Sequence, residues 1–418
     1  MFVKGYLDVW SRVRVVKLSI LIGSLNVVIA CAAVKAPKPT APTTSLETES
    51  VLDERGATVS RRTTPTALTL EQLVISETTA ETLGELYSRG IARLEQQDYV
   101  NAERDFALCI QVQPDGPLTA SCLYYGGLAN DQLGRFEAAL EGFVAASARL
   151  PEHALTMQAS LRALRLAAHL EHWAQAAALS ERVLAKRKDL KPFELVLPYG
   201  ALAMDAIERG DDNLAEQFVS RARAVIDEHQ LDVPGRIHRD LAVVYFALGE
   251  VRRLRSARLR FVPMPTNFSE VLEQRCQLIL DAQSAYSDAM RAYDAHWSTM
   301  AGFRVGELYS SLHTDVMQMV EQRPIENASR RQLFEGAMRL RYAVLVQKAR
   351  NMLTHTLDMA ERLGEKSEWV ERVRATLLEL TKRNQAEDEA IQRLPYSRES
   401  LSYALERLSK QPQAPKSR

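Results

Sequence analysis

His169 and His172 stand three residues apart, and His313 lies near Met317 and Met319. Each set begins a metal site, because imidazole and thioether donors on one helix face can share an ion. A zinc or copper centre needs three or four ligands, however, and neither set has another within reach in the sequence. Both are expected to be packing or solvated residues, so no metal ligand is assigned. Acidic side chains number 53 but are scattered at helical spacing, and no two stand out as a general acid and base. No Lys-bearing phosphate loop, G-x-G-x-x-G, H-E-x-x-H or EF-hand loop occurs, and no cysteines are paired at zinc spacing. The expectation is a protein without catalytic residues, metal or cofactor. One local charge anomaly remains, the basic patch Arg252, Arg253, Arg255, Arg258 and Arg260. On a helix these five cover more than one side, so they either dock an acidic partner, lipid headgroups or an anionic polymer, or pair with acids on neighbouring helices. Intramolecular pairing is the commoner fate of such a cluster.

The other reactive group is thiol. Lys4, Arg12, Arg14 and Lys17 oppose one acid, Asp8, and an uncharged, largely apolar run from Leu18 to Ala30 follows, ending at Cys31. This is the basic head and short apolar core of a secretory signal, too short to span a bilayer comfortably. Val28, Ile29 and Ala30 before Cys31 resemble the lipobox of bacterial lipoproteins. That resemblance implies cleavage before Cys31, lipidation of its thiol and, with Ala32 next, an anchor on the periplasmic face of the outer membrane. Residues 1–30 are then a signal peptide, and 31–76 a lipidated cysteine followed by a Pro- and Thr-rich flexible linker. Cys109, Cys122 and Cys276 would lie where disulfides can form. Cys109 and Cys122 fall on consecutive predicted helices, where a bridge is conceivable but buried free thiols are more usual.

Lys and Arg together balance Asp and Glu, at 53 each, so no overall field favours nucleic acid. The 418 residues are 46% hydrophobic, enough to build sizeable cores. From about residue 83 the chain repeats: Gly90, Tyr99, Ala102, Phe106 and Pro114 recur 37 residues later as Gly127, Phe136, Ala139, Phe143 and Pro151. A small residue within a first helix, an aromatic opening a second, A-x3-F within it and a closing Pro resemble the tetratricopeptide repeat (TPR). Trp173, Ala176 and Val183 continue the register, then Gly210, Ala215 and Ala222, and a fifth unit starts at Leu241 with Gly249 at its turn. Residues 77–262 are thus expected to be a TPR-like solenoid of four to five repeats. The resemblance implies a concave groove lined by the first helix of each unit: Tyr87, Ile91 and Glu95, then Tyr124, Leu128, Asp131 and Gln132, then Leu161, Arg165 and His169. Aromatic anchors mixed with polar groups suit an extended peptide or a partner helix.

Past Pro263-Met-Pro265 the period changes. Leu272, Ile279, Tyr286, Tyr293 and Met300 are seven apart, predicting one long helix over about 268–321, kinked at Gly302 and Gly306. A second helix over about 329–363 should end at Gly364, and a third should open at Ser367 and run to about Lys382. Residues 266–382 form this long-helix hairpin or bundle, and 383–418 are expected to be a polar, largely mobile tail with one short helix over about 398–409. The fold class is all-α. Ala282-Gln-Ser-Ala-Tyr286, Gly302-Phe-Arg-Val-Gly-Glu-Leu-Tyr309 and Asp358-Met-Ala-Glu-Arg-Leu-Gly364 with Glu368-Trp-Val370 resemble the C-terminal region of TPR lipoproteins from myxobacterial envelope and gliding-motility machinery. That resemblance implies a non-enzymatic scaffold that binds envelope proteins and is tethered to the membrane through Cys31. An accessory of outer-membrane protein assembly and a cell-wall-associated enzyme or wall-binding accessory are the alternative readings, and oligomeric state is left open.

Overall fold

The computed structural model describes residues 83–410 apart from 150–153, 234–236 and 324. Cys31, its lipobox Val28, Ile29 and Ala30, the linker and Pro151 lie outside the described residues. Within them the chain is all-α, with fourteen α-helices and no strand. In order these are α1 (Leu83–Glu95), α2 (Tyr99–Val112), α3 (Thr119–Gln132), α4 (Phe136–Arg149), α5 (Ala154–His169), α6 (Trp173–Ala185), α7 (Pro192–Glu208), α8 (Asp212–His229), α9 (Ala242–Arg258), α10 (Phe268–Met290), α11 (Ala295–Glu321), α12 (Ala328–Leu363), α13 (Glu368–Gln392) and α14 (Arg398–Lys410). Short 3-10 turns over Arg187–Asp189 and Arg239–Leu241 join α6 to α7 and lead into α9.

Each repeat forms because its second helix carries one apolar stripe at helical spacing. Ala102, Phe106 and Cys109 on α2 are matched by Ala139, Phe143 and Ala146 on α4, then Ala176, Ser180 and Val183 on α6, then Ala215, Val219 and Ala222 on α8, all buried. Ser180 takes the aromatic's place in the third unit, and its hydroxyl donates to the Ala176 carbonyl at 2.8 Å, so no polar atom is stranded. The facing first helix must supply space. A Cβ at Gly90 would lie 2.7 Å from the Phe106 ring, and one at Gly127 would lie 3.0 Å from Phe143. The turn between the two helices repeats as well: Gln97, Gly134, Glu171 and Gly210 all have positive φ, between 58° and 77°. Two of the four are not glycine, so these turns are held in a conformation their side chains disfavour.

Five features depart from the sequence-based expectation. Cys109 and Cys122 are bridged rather than free. Both face the small core between α2 and α3 with no exposure, and their Cα atoms are 6.5 Å apart, within disulfide reach. Cys276 remains a free thiol. The long helix over 268–321 is two helices, α10 and α11, broken where Tyr293 adopts φ 55° and Asp294 caps α11 by accepting from the Trp297 N–H at 3.1 Å. Tyr293 is therefore 75% exposed, while its heptad mates Leu272, Ile279, Tyr286 and Met300 are buried. α11 runs unbroken through Gly302 and Gly306, and these glycines let α12 approach, since Cβ atoms there would meet Thr356 and Leu353.

The solenoid also does not stop at residue 262. α9 is the first helix of a fifth hairpin whose second helix is α10, and Gly249 receives Tyr286 much as Gly90 receives Phe106. One continuous apolar core runs from Tyr124 in α3 to Leu380 in α13, so the repeats and the long helices share an interior. α12 ends at Gly364 (φ 71°), as its sequence implies, and α13 opens after Ser367. α13 passes Lys382 to Gln392 because Ile391 is buried, and α14 seats Leu401 against Gly336 of α12. Residues 383–410 are therefore mostly helix packed on the body rather than a tail.

Two stability outcomes follow from these contacts. Reducing the Cys109–Cys122 bond, whose loop is 13 residues, lowers unfolding free energy by about 3 kcal/mol in urea titrations with and without reductant. At the turns, Gly134→Ala costs about 1 kcal/mol whereas Gln97→Gly gains up to about 1 kcal/mol, the opposite signs reporting the same left-handed conformation.

Candidate functional site

The first-helix register sends its side chains to three different places. Tyr124 and Leu161 are each 4% exposed and belong to the core. Tyr87 is half-buried, with its ring edge-on to Phe106 at 6.3 Å and to Tyr125 at 6.0 Å. Ile91 and Leu128 are half-buried against the two cores, while Glu95 and Gln132 are exposed. Only Asp131, Arg165 and His169 come together, around a cavity of about 270 Å³. The sequence could not separate these groups, because what covers the face is distant in the chain: the 3-10 turn before α9, the N-terminus of α11 and the α12–α13 turn.

Arg165 is already committed. Its Nε and Nη2 donate to the two carboxylate oxygens of Asp240 at 2.9 and 2.7 Å, locking the third repeat to the entry of α9. Arg162, one turn earlier, lies 5.9 Å from the Phe143 ring centre, donates to the Tyr124 hydroxyl at 3.3 Å and stands 4.0 Å from Asp131. Burial raises the Asp131 pKa, opposed by the nearby charges of Arg162 and Arg239. His169 meets Phe136 edge-on at 4.8 Å and lies against His296 of α11 with ring centres 4.0 Å apart. Burial, with the second imidazole beside it, pushes the His169 pKa down to about 4. His296 is 5% exposed, and neither ring nitrogen has a hydrogen-bond partner. Glu365 lies 3.8 Å from His296 Nδ1, and that imidazole together with Ser367 holds its carboxyl at about 2. Nearby, Trp369 Nε1 donates to Glu171 at 2.6 Å, a second clamp between α13 and the third repeat.

The arginine cluster resolves into internal pairs. Arg253 meets Glu250 at 2.6 Å, Arg255 meets Glu216 at 2.5 Å, and Arg258 meets Asp212 at 2.7 Å. Arg252 donates to the Asp281 carbonyl at 2.7 Å, which leaves Arg260 exposed. The patch thus fastens α9 to α8 and α10, and the docking surface implied by charge alone is largely consumed. Among the described residues no three His, Cys, Asp or Glu converge as a metal site, and His172 is exposed, away from the buried His169–His296 contact. No helix among them is long and apolar enough to cross a membrane.

Acid should weaken the contact between solenoid and long helices. At pH 7 His169 is neutral in both folded and unfolded chains; as pH falls through 6.5 the unfolded chain takes a proton that the folded one refuses until about pH 4. Stability therefore drops across that window and levels below it, by on the order of 3 kcal/mol at most from this residue. Burial also lowers the pKa of His238 and His313, so their contributions have the same sign. Chemical denaturation of wild type and His169→Phe at pH 7 and pH 4.5 isolates the term: the variant, which keeps a ring against His296, loses less stability on acidification.

No family model and no curated protein matches the chain. Among solved structures, a TPR protein from Parabacteroides merdae is 14% identical over 72% of this chain and 98% of its own, with a TM-score of 0.37. A monomeric mutant of IFIT1 crystallised with m7Gppp-AAAA is 13% identical over 78% and 72%, with a TM-score of 0.34. The chain's own hairpins, with their 37-residue offset, paired Gly and aromatic contacts and recurring left-handed turn, make it a TPR-type solenoid continued by long helices.

Proposed function

We propose that this protein is a non-enzymatic scaffold that holds envelope proteins near a membrane to which it is tethered through a lipidated Cys31. The observation that carries the binding half is the open end of the first-helix face. Tyr87, Ile91 and Leu128 are partly accessible there beside exposed Glu95 and Gln132, whereas the third and later repeats are covered by the chain's own helices. Half-buried apolar groups bordered by polar ones offer both contact area and register to an extended segment. The Cys109–Cys122 bond is chemistry of an oxidising compartment, which supports export. A Pro-rich linker of some forty residues scales to tens of ångströms, so the solenoid would reach beyond the headgroups while the anchor raises the local concentration of whatever it holds. A motility or secretion assembly at the periplasmic face of the outer membrane is the setting that the C-terminal helix motifs favour.

The two halves of this reading separate experimentally. Cys31→Ala should move the protein from the membrane to the soluble fraction, and an unchanged distribution would end the tether. In the anchored protein, Glu95→Arg with Gln132→Arg changes only exposed side chains, so the melting temperature should hold while in-cell crosslinks to envelope proteins fall about tenfold. Crosslinking that survives both substitutions would remove the groove.

A further inference from the structure

The cavity between α3, α5 and the start of α11 has features that the tethering function does not use. At about 270 Å³ it holds on the order of nine waters at about 30 Å³ each, which is metabolite-sized and too small for a peptide segment. Its lining includes the apolar side chains of Phe136, Phe143, Leu166 and Trp297. Its charged groups fall into spent and unspent. Arg165 is bidentate to Asp240, the Asp294 carboxylate caps α11, and Glu365 accepts from the Ser367 N–H at 3.1 Å. In all, the lining holds four carboxylates and three guanidiniums, and the two guanidiniums without a bidentate partner are Arg162 and Arg239. Arg162 stands at ion-pair limit from Asp131, and Arg239, exposed at the rim, makes no hydrogen bond or ion pair among the described residues. His296, also lining the cavity, is 5% exposed; its Nδ1 faces the Glu365 carboxylate at 3.8 Å and its Nε2 has no partner. A buried imidazole in that state costs free energy that a ligand's polar atom would recover.

We propose that this cavity is a binding site for a small organic carboxylate with an apolar body, its carboxylate held by Arg162 and Arg239, its body on the apolar lining side chains and a polar atom on His296. Guanidiniums favour a planar carboxylate because two parallel N–H bonds match its geometry. Asp131 is bracketed by both guanidiniums, and burial already raises its pKa, which lessens its repulsion of an incoming anion. Because the lining comes from the repeats, from the 3-10 turn before α9 and from α11, an occupant joins the two halves of the chain and binds only the folded form. The site stands independently of the tether and of the open groove.

The test uses the full chain in detergent at constant ionic strength, with benzoate, phenylacetate and hexanoate as probes and benzamide and inorganic phosphate as controls. At about 10 mM at least one carboxylate should raise the melting temperature saturably, and the controls should not. Calorimetry should show its affinity falling about tenfold or more in Arg239→Gln, whose melting temperature without ligand stays at the wild-type value because that side chain holds no partner. Arg162→Gln should weaken binding to a similar extent. The proposal fails if none of the three carboxylates binds, if binding persists undiminished in both variants, or if phosphate binds equally well, which would mark an unspecific anion effect.

Discussion

The Glu250 carboxylate, 2% exposed in α9, is the point from which the two halves of this molecule are held together. The Tyr286 hydroxyl of α10 donates to it at 2.6 Å, Arg253 reaches it at 2.6 Å, and Arg304 of α11 lies 2.9 Å away. Burial alone would push its pKa up, but the two guanidiniums and the Tyr286 hydroxyl bring it below the usual carboxylate range, so it stays ionised in the interior. Such a group is tolerated only with its partners in place, which makes the geometry of three helices mutually dependent. The string continues outward. Arg304 sits 5.2 Å from the Trp369 ring centre, and Trp369 bonds Glu171 in the turn of the third repeat. A single path of charge, ring and hydrogen bond thus links the fifth hairpin, the long helices and the middle of the solenoid.

That linkage alters what the repeat architecture can offer. An isolated solenoid presents its first-helix face along its whole length. Here α11 and the α12–α13 turn return over the third repeat, converting an open groove into a short exposed stretch at one end and a partly open pocket further along. The same contacts bury the His169 imidazole, which ties the closure to proton concentration.

What could be read in the sequence was local and periodic. Gly90 with Phe106 and Gly127 with Phe143 are sixteen residues apart in adjoining helices, so the spacing alone reports the contact, and Gly364 ends α12 through a backbone conformation that needs no distant partner. The rest depends on residues far apart in the chain. Arg165 meets Asp240 across 75 positions and Trp369 meets Glu171 across 198, and neither pair breaks any local rule that would betray it. Gly302 and Gly306 show the ambiguity well: a glycine within a helix reads equally as a kink or as room for a neighbour, and only the position of α12 decides. The break at Tyr293 was hidden for a related reason, since a heptad can continue on paper through a turn that the backbone makes in fact.

The disulfide has a mechanical meaning. Terminal repeats of a solenoid contact one neighbour only and are the first to peel when a chain is pulled from its end. A pull arriving from the N-terminal side would unravel α1 and then α2 as far as Cys109, where the load passes directly to Cys122 and skips the residues between. From that point the force acts on a covalent bond into α3, whose Tyr124 belongs to the main core, rather than on the side-chain packing between α2 and α3. The bond therefore fixes how far the terminal repeat can extend before the body of the protein begins to bear tension.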